Sequence, residues 1–216
     1  MSKTHQKRHT VPKNWPVARK GTTFVVKSNH GNGIPILVAL RDMLKVAKTR
    51  KEVKIALNTG TVLINQKKVL NDKNAVCLFD IVTLTPSKNN YKMVLSDKGK
   101  FMLIEIPEKE AQEKISKVIS KKILKGKKVQ LNMEDGLNIL SDTKCRVNDS
   151  LVISLKDKKI IDCLELKKKA QTLIIAGKHA GVSGSITNVD VERKMVEIDA
   201  DKIKINALIK QIILTK

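Results

Sequence analysis

The stretch Thr49-Arg-Lys-Glu-Val-Lys-Ile-Ala-Leu-Asn-Thr-Gly-Thr-Val-Leu-Ile-Asn-Gln-Lys-Lys68 decides the local fold of this chain. Thr49 and Glu52 have the spacing of a capping box, in which each side chain accepts a hydrogen bond from the backbone of the other, so a helix begins here. We predict that this helix ends at Asn58-Thr-Gly60, because asparagine and glycine tolerate the left-handed backbone conformation.

A β-hairpin is predicted after the helix. Its two short strands cover 61–64 and 67–70 and are joined at Asn65-Gln66. A two-residue hairpin turn favours Asn-Gly, because both of its residues take positive φ. Gln66 therefore predicts a strained or longer turn.

The flanking residues extend this stretch into a small module. Pro35 occupies a natural first helical position, and apolar residues recur every three or four positions over 36–47, which predicts a first helix. Downstream, residues 79–84 alternate between apolar and polar side chains, which predicts a further strand. Together these elements predict a helix-helix-β-ribbon module over 35–86.

Residues 1–34 are predicted to be a basic arm and linker. The first twenty residues carry six positive charges and no acid, and their apolar content is too low for them to fold alone. A solvated tail is one interpretation, and an arm that orders against polyphosphate is the other. Pro12, Trp15 and Pro16 favour the arm, because prolines and a large aromatic side chain within a basic run are typical of a segment with a defined path.

The remainder of the chain is predicted to be mostly β. Residues 87–170 contain short alternating segments separated by Gly, Asn and Asp, which predicts a β-rich central domain. In 171–216, two strands flank a loop that contains Gly177, Gly181 and Gly184. This arrangement resembles the KOW motif, which implies a C-terminal SH3-like barrel. The predicted fold class is therefore α+β and multi-domain, with a basic arm, a helix-helix-β-ribbon module, a mostly-β central domain and a C-terminal barrel.

The charge of the chain predicts a polyanionic partner. The chain has 43 Lys and Arg against 21 Asp and Glu, for a net charge of +22, and residues 1–79 hold 16 basic but only three acidic residues. An anionic membrane is the rival partner. No run of 18 apolar residues and no signal peptide is present, and the arm lacks the apolar period of a lipid-surface helix. Nucleic acid is therefore the predicted partner, and no membrane is.

The composition also predicts how nucleic acid is recognised. Aromatic residues make up 2% of the chain, which is too few for the stacking platforms that read single strands. Nearly all the basic residues are Lys, which acts as a point charge on phosphate rather than as a bidentate reader of base edges. We therefore expect the protein to recognise a folded RNA by its shape and its backbone.

No catalytic or metal-binding pattern is found in the sequence. Cys77, Cys145 and Cys163 are too far apart for a CxxC site and are predicted to be reduced core residues of an intracellular protein. His5 and His9 have the spacing of metal ligands, but in a basic arm we expect them to contact phosphate. The sequence therefore predicts no enzyme activity, no metal, no cofactor and no small-molecule substrate.

Three segments, Lys48-Thr-Arg-Lys-Glu52, Gly60-Thr-Val-Leu-Ile-Asn-Gln-Lys-Lys-Val69 and Phe79-Asp-Ile-Val82, resemble the S4-type RNA-binding module in this order. With an HxKRxxxPKxW arm before them (His5 to Trp15) and the KOW element after them, the whole chain resembles the small-subunit ribosomal protein family S4e of archaea and eukaryotes. This resemblance implies a structural, non-catalytic role in the cytoplasmic ribosome. It also implies small-subunit rRNA and neighbouring small-subunit proteins as partners.

The residues expected to contact RNA are mostly cationic and lie in the arm, around the second helix, on the hairpin and in the glycine loop. The second helix is expected to present its N-terminal dipole to phosphate as well. The expected contact residues are Lys3, His5, Lys7, Arg8, His9, Lys13, Trp15, Arg19, Lys20, Arg41, Lys45, Lys48, Thr49, Arg50, Lys51, Lys54, Lys67, Lys68, Lys178 and His179.

Two other functions are compatible with these patterns. An RNA-modifying enzyme can carry an S4-type module, although residues 87–170 are short for its catalytic domain. A KOW-bearing regulator of transcription or translation is the second alternative. It would bind transiently, whereas a ribosomal protein is stoichiometric.

Overall fold

The computed structural model describes residues 5–126, 128–141, 145–200 and 203–215. They form two compact units. The first contains Met1–Val94 and Lys100–Gln112, and the second contains Leu95–Gly99 and Glu113–Lys216. Both units are mostly β.

The first unit combines nine strands with two short helices. In chain order, these are β1 (Gln6–Lys7), β2 (Phe24–Val25), β3 (Ile34–Pro35), α1 (Ile36–Val38), α2 (Arg50–Asn58), β4 (Val62–Ile64), β5 (Lys67–Lys68), β6 (Ala75–Val76), β7 (Ile81–Leu84), β8 (Asn89–Leu95) and β9 (Phe101–Ile106). A π-helical turn (Ala39–Met43) continues α1, and 3-10 turns cover Arg8–Thr10 and Glu110–Gln112.

The basic arm folds back on itself in the first unit. Strands β1 and β2 pair antiparallel, with Gln6 opposite Val25. Trp15 is only 4% exposed, and the backbone N–H of Phe101 donates to the carbonyl of Asn14 at 2.9 Å. Burial of this large aromatic side chain gives the arm the defined path that its sequence favours.

The helical part of the module is shorter than the sequence predicts. The expected helix over 36–47 consists of α1 and the π-helical turn, and Pro35 precedes its first residue. Lys45 then takes a positive φ of 55°, which turns the chain out of the helix. Helix α2 agrees with its prediction, from the Thr49 cap to its end before Gly60.

A five-stranded sheet in the order β5-β4-β7-β8-β9 packs with these helices. Asn65 and Gln66 form a two-residue turn between β4 and β5, with φ values of 49° and 63°. The turn is therefore strained rather than longer, and Asn65 anchors it by donating to Asp80 at 2.7 Å. Because β8 and β9 belong to this sheet, the boundary expected at residue 87 falls inside a continuous sheet.

The second unit contains the other ten strands. These are β10 (Glu113–Ile123), β11 (Val129–Met133), β12 (Asn138–Leu140), β13 (Ser150–Ser154), β14 (Ile160–Leu164), β15 (Gln171–Ile174), β16 (Ser183–Asp190), β17 (Met195–Ala200), β18 (Ile203–Leu208) and β19 (Ile212–Leu214). A 3-10 turn (Ile209–Gln211) separates the last two strands.

The central sheet has the order β12-β11-β10-β13-β14. Strand β10 connects its two halves, because its first five residues pair with β13 and the residues from Val118 onward pair with β11. A bulge at Ile119 lies just inside the part that pairs with β11. Val118, Leu131 and Leu151 are fully buried in the core of this sheet.

The C-terminal strands form a meander in the order β18-β17-β16-β15-β19. The last strand pairs with the first, with Thr172 opposite Leu214. Ile174, Ile186 and Ile198 lie in its core and are at most 1% exposed. The alternating pattern of these strands therefore produces a sheet with a packed apolar core.

Two lysines of β10 lie in the interior of the second unit. Lys114 forms an ion pair with Asp135, and the Lys117 Nζ donates to the carbonyls of Ile209 and Ile212 at 2.5 and 2.8 Å. Burial lowers the pKa of Lys117 to about 8. These two cations are therefore structural, unlike the solvent-exposed lysines.

Cys77, Cys145 and Cys163 are thiols that form no disulfide with one another. Cys77 and Cys145 are buried and Cys163 is half-buried, in agreement with the prediction of reduced core residues. Burial raises the pKa of Cys163 to about 12, so its thiol remains protonated.

Within the described ranges, no helix combines the length and the apolar character needed to cross a bilayer.

Candidate nucleic-acid interface

The start of α2 is closed by its own capping box. The Thr49 hydroxyl accepts from the Glu52 N–H at 3.3 Å, and Glu52 Oε2 accepts from the N–H of Lys48 at 2.8 Å and of Thr49 at 3.4 Å. The hydrogen bond from Lys48 is the main reason that the pKa of Glu52 is lowered. The Thr49 hydroxyl oxygen is therefore engaged in the cap, and the exposed lysines Lys51 and Lys54 are the nearby groups open to phosphate.

Arg50 has a structural partner that its sequence position did not reveal. Its Nε donates to Asp72 Oδ2 at 2.5 Å, and the Asp72 side chain is only 6% exposed. The Arg50 side chain is 48% exposed. The guanidinium therefore neutralises a buried carboxylate, and because half of the side chain is exposed, the expected phosphate contact of Arg50 stays a prediction.

A cleft of about 820 Å³ lies between the arm and the helical part of the first unit. Its walls bring together predicted contact residues that are far apart in sequence, namely Arg8 of the arm and Arg41, Lys45 and Lys48 from the turn between the two helices. The remaining lining residues are Pro16, Val17, Ala18, Thr22, Asp42 and Ala47. The cleft therefore has four cations and one acid.

Two of the four cations are already engaged within the protein. Arg8 donates to the carbonyls of Thr22 and Ala18 at 2.6 and 2.8 Å and to the Thr22 hydroxyl at 2.8 Å. Arg41 forms a bidentate pair with Asp42 at 2.8 and 2.9 Å, which raises the pKa of Arg41. Arg8 therefore shapes the arm in addition to lending charge to the cleft.

Lys45 and Lys48 carry the exposed charge of the cleft. Both side chains are exposed, and Lys45 stands with a positive φ of 55° at the turn that ends the first helix. A cleft with flexible ammonium groups at its rim suits phosphate oxygens, which accept from each of these donors.

The other expected contacts of the arm are spread along its surface. Lys7, His9, Lys13, Arg19 and Lys20 are exposed. His5 is also exposed, and its ring stands edge-on to Phe24 at a centroid distance of 5.3 Å. Lys3 lies outside the described residues.

Trp15, another of the expected contacts, is buried and packs within the first unit. Its contact with RNA stays a prediction. On the hairpin, Lys67 and Lys68 are exposed on β5, at the edge of the five-stranded sheet.

Lys178 and His179 lie in the second unit, on the loop between β15 and β16, and both are exposed. The loop is closed by a 2.8 Å hydrogen bond from the Gly181 N–H to the carbonyl of Ile174. Gly181 has a φ of 96°, and a Cβ there would overlap the carbonyl oxygen of Ser96. The positive φ and the close packing together require glycine at this position.

A further group of exposed lysines was missed by the sequence interpretation. Lys121, Lys122, Lys125 and Lys128 lie at the end of the β10–β11 hairpin. The sequence does contain a signal for this group, because residues 114–133 include seven lysines and no acidic residue.

Comparison with known proteins gives matches over most of the chain. The model for Ribosomal family S4e matches residues 87–160, and the model for the RS4NT (NUC023) domain matches residues 2–32. Small ribosomal subunit protein eS4 of Haloarcula marismortui is 35% identical over 193 residues, which cover 87% of this chain and 82% of that protein. The eS4 protein of Methanospirillum hungatei is 35% identical over 189 residues, 84% of this chain and 78% of that protein.

A solved structure agrees with these sequence matches. The crystal structure of the 30S ribosomal protein S4e from Thermoplasma acidophilum superposes with a TM-score of 0.74 at 26% identity. The superposition covers 85% of this chain and 94% of that chain.

Proposed function

The chain belongs to ribosomal family S4e, and from this membership we propose that it is a structural component of the small ribosomal subunit that binds small-subunit rRNA through the basic cleft of its first unit. The relatives are ribosomal structural proteins, and this chain is likewise not an enzyme. Its place is accordingly the cytoplasmic ribosome, with rRNA and neighbouring small-subunit proteins as partners.

The cleft between the arm and the helical turn is the observation that carries this proposal. It gathers Arg8, Arg41, Lys45 and Lys48 at one place, although the arm and the turn are separate in sequence. Each lysine that contacts a phosphate releases condensed counterions, which favours binding and makes it salt-dependent. The exposed lysines of α2, Lys51 and Lys54, extend the same positive surface.

We extend the proposal to the C-terminal meander as a KOW-type, SH3-like barrel over 171–216. The pairing of its last strand with its first and the positive φ of Gly177 and Gly181 support this assignment. Lys178 and His179, exposed on the loop between β15 and β16, are its proposed RNA contacts.

A pair of matched double variants tests the cleft. Lys45→Gln/Lys48→Gln removes its two exposed charges. Lys88→Gln/Lys73→Gln is the control, because Lys88 is exposed with a φ of 58°, like Lys45, and Lys73 is exposed like Lys48. Resemblance to the S4e family implies binding near the 5′ region of small-subunit rRNA. The probe is therefore an in-vitro transcript of the 5′ domain of an archaeal small-subunit rRNA, titrated over a range of salt concentrations.

The cleft variant is expected to weaken binding and to reduce the slope of log affinity against log salt by about 2, one unit for each lost phosphate contact. The control should retain the wild-type slope. Equal slopes for the two variants would show that the cleft is not the contact surface.

The ribosomal assignment has its own measurement. Tagged protein is sedimented through a sucrose gradient at high salt and quantified in the small-subunit peak. We expect about one copy per small subunit. Loss to the top of the gradient, at salt that retains other core proteins, would instead favour the transient regulator.

A further inference from the structure

The β10–β11 hairpin of the second unit ends in a projecting ribbon. We call residues 120–126 and 128–130 the ribbon tip. Strand β13 pairs with β10 only over Glu113–Lys117, so beyond that point β10 has β11 as its partner on one side. The consecutive residues Lys121, Lys122 and Ile123 are all exposed. Because successive residues of a strand point to opposite faces, both faces of β10 carry exposed side chains at these three positions.

The ribbon tip is strongly positive. Residues 114–133 contain seven lysines and no Asp or Glu. Two of these lysines, Lys114 and Lys117, are buried in the unit, whereas the four described lysines of the tip are exposed. The tip therefore concentrates its positive charge on the part of the hairpin that leaves the core.

The strand register assigns these charges to both faces. Lys121 lies opposite Leu131 and Ile123 opposite Val129, so Lys121 and Ile123 share the face that enters the core at Leu131. Lys122 lies opposite Gln130 and shares the other face with a polar network, in which Gln130 donates to Asn132 and Asn132 donates to Ser120. One face is thus basic and apolar, and the other is basic and polar.

A short turn closes the ribbon and adds two further charges. The Leu124 N–H donates to the carbonyl of Lys128 at 2.9 Å. Gly126 has a φ of 81°, and a Cβ built there would meet nothing within 4 Å. Lys125 and Lys128, on either side of this glycine, therefore stand at an uncrowded end of the hairpin.

We propose that the ribbon tip is a second RNA-binding element, which inserts between two phosphate-backbone segments of a folded RNA such as the walls of a helix junction. The inference rests on the proposed rRNA-binding function but concerns a different unit and different residues. With lysines on both faces, a ribbon lying flat on one RNA helix would leave half of its charge facing water. Phosphates on two sides match both faces at once.

The ribbon also lacks what other modes of binding need. Residues 114–133 contain no aromatic side chain and no Arg, so base stacking and bidentate reading of base edges are not available to it. Ile123 is 76% exposed at the end of β10, and contact with the sugar edges of RNA would cover it. Backbone and shape recognition is therefore the mode that these side chains support.

Protection of an exposed strand edge is the competing explanation, because lysines on an edge strand prevent pairing with another chain. Charge reversal separates the two roles. Glutamate also keeps an edge strand from pairing, but it repels phosphate. The test variant is therefore Lys121→Glu/Lys122→Glu in the full chain. The control is Lys156→Glu/Lys159→Glu, which reverses two exposed lysines between β13 and β14.

Binding is measured with the rRNA 5′-domain transcript and with an unrelated three-way-junction RNA. Thermal unfolding and light scattering verify that the variants are folded and monomeric. The ribbon variant should lose roughly 10- to 100-fold in affinity, with a salt slope lower by about 2, while the control stays close to wild type. Equal losses in both variants, or no loss in the ribbon variant, would overturn the proposal.

Single substitutions test the insertion between two walls. Lys121→Gln and Lys122→Gln each remove the charge of one face, and each should weaken binding by a similar factor. Loss from only one of them would overturn the two-sided arrangement. If the wild-type chain binds both RNAs equally, the proposed rRNA function fails. The ribbon tip fails as an RNA-binding element if its variants match the control on both RNAs.

Discussion

Arg50 donates from Nε to Oδ2 of Asp72 at 2.5 Å, which ties the start of α2 to the loop that follows the β-hairpin. The two residues are 22 positions apart in sequence, and the carboxylate is almost entirely buried. A buried carboxylate without a partner is costly, so the role of this arginine differs from that of its exposed neighbour Lys51.

Arg50→Gln should therefore destabilise the first unit more than Lys51→Gln does. Because the Arg50 side chain is half exposed and water replaces part of the interaction, we expect a loss of about 1–2 kcal/mol, against about 0.5 kcal/mol or less for Lys51→Gln. Urea unfolding followed by circular dichroism measures both. Equal stabilities would mean that the ion pair does not support the fold.

The burial of Trp15 makes the arm part of the folded unit. Trp15→Ala should lower the free energy of unfolding by about 3–5 kcal/mol, because it removes a large side chain from a packed site. Lys13→Ala, at an exposed position of the same arm, is the control. If Trp15→Ala weakened RNA binding while stability stayed at the wild-type value, the indole would be an RNA contact instead.

Lys117 should make the stability of the second unit depend on pH. Its pKa falls from 10.5 to about 8 on folding, so between these values the unfolded chain holds a proton that the folded chain has released. The free energy of unfolding therefore rises with pH across this window, by up to about 3 kcal/mol. The reason is that folding no longer requires a charged lysine to lose its proton before it is buried.

The measurement compares the urea midpoints of the wild-type chain and Lys117→Met from pH 7.5 to 10.5. Subtracting the midpoint of the variant from that of the wild-type chain isolates the contribution of Lys117, because both chains contain the other lysines. As the pH rises, the urea midpoint of the wild-type chain should increase relative to that of Lys117→Met. Parallel curves would show that Lys117 remains charged in the folded protein.

Two glycines with positive φ provide a matched comparison of packing and backbone strain. Gly126→Ala meets open space, so its cost is the left-handed conformation alone, about 1 kcal/mol. Gly181→Ala adds an overlap with the Ser96 carbonyl and should cost several times as much. Thermal midpoints of the two variants measure the difference, and similar midpoints would mean that the loop moves away from Ser96.

The parts of the fold that local chemistry determines could be predicted from the sequence. The capping box of Thr49 and Glu52 forms with both of its hydrogen bonds, and α2 ends before Gly60 as its residues indicate. The strain at Gln66 also follows from a local rule, because a two-residue hairpin turn fixes the sign of φ.

Contacts between distant residues could not be predicted in the same way. Nothing near Arg50 in sequence indicates that Asp72 will be buried beside it, and nothing near Trp15 specifies the core that covers it. Membership of β8 and β9 in the first unit's sheet likewise depends on pairing with β7, which periodicity does not encode. The cleft itself is formed by tertiary structure, although each of its cations was identifiable from the sequence.

The pairing of β15 with β19 sets an order of events during synthesis. Thr172 can pair with Leu214 only after the ribosome has added Leu214, so the C-terminal meander closes late in synthesis. The residues of the first unit all precede Glu113, so that unit can fold while the meander is still being translated. A nascent chain would then present the finished cleft, the proposed RNA-binding site, at a time when its last sheet is still open. Under that proposal, vectorial synthesis couples the first rRNA contact to the earliest-folded part of the protein.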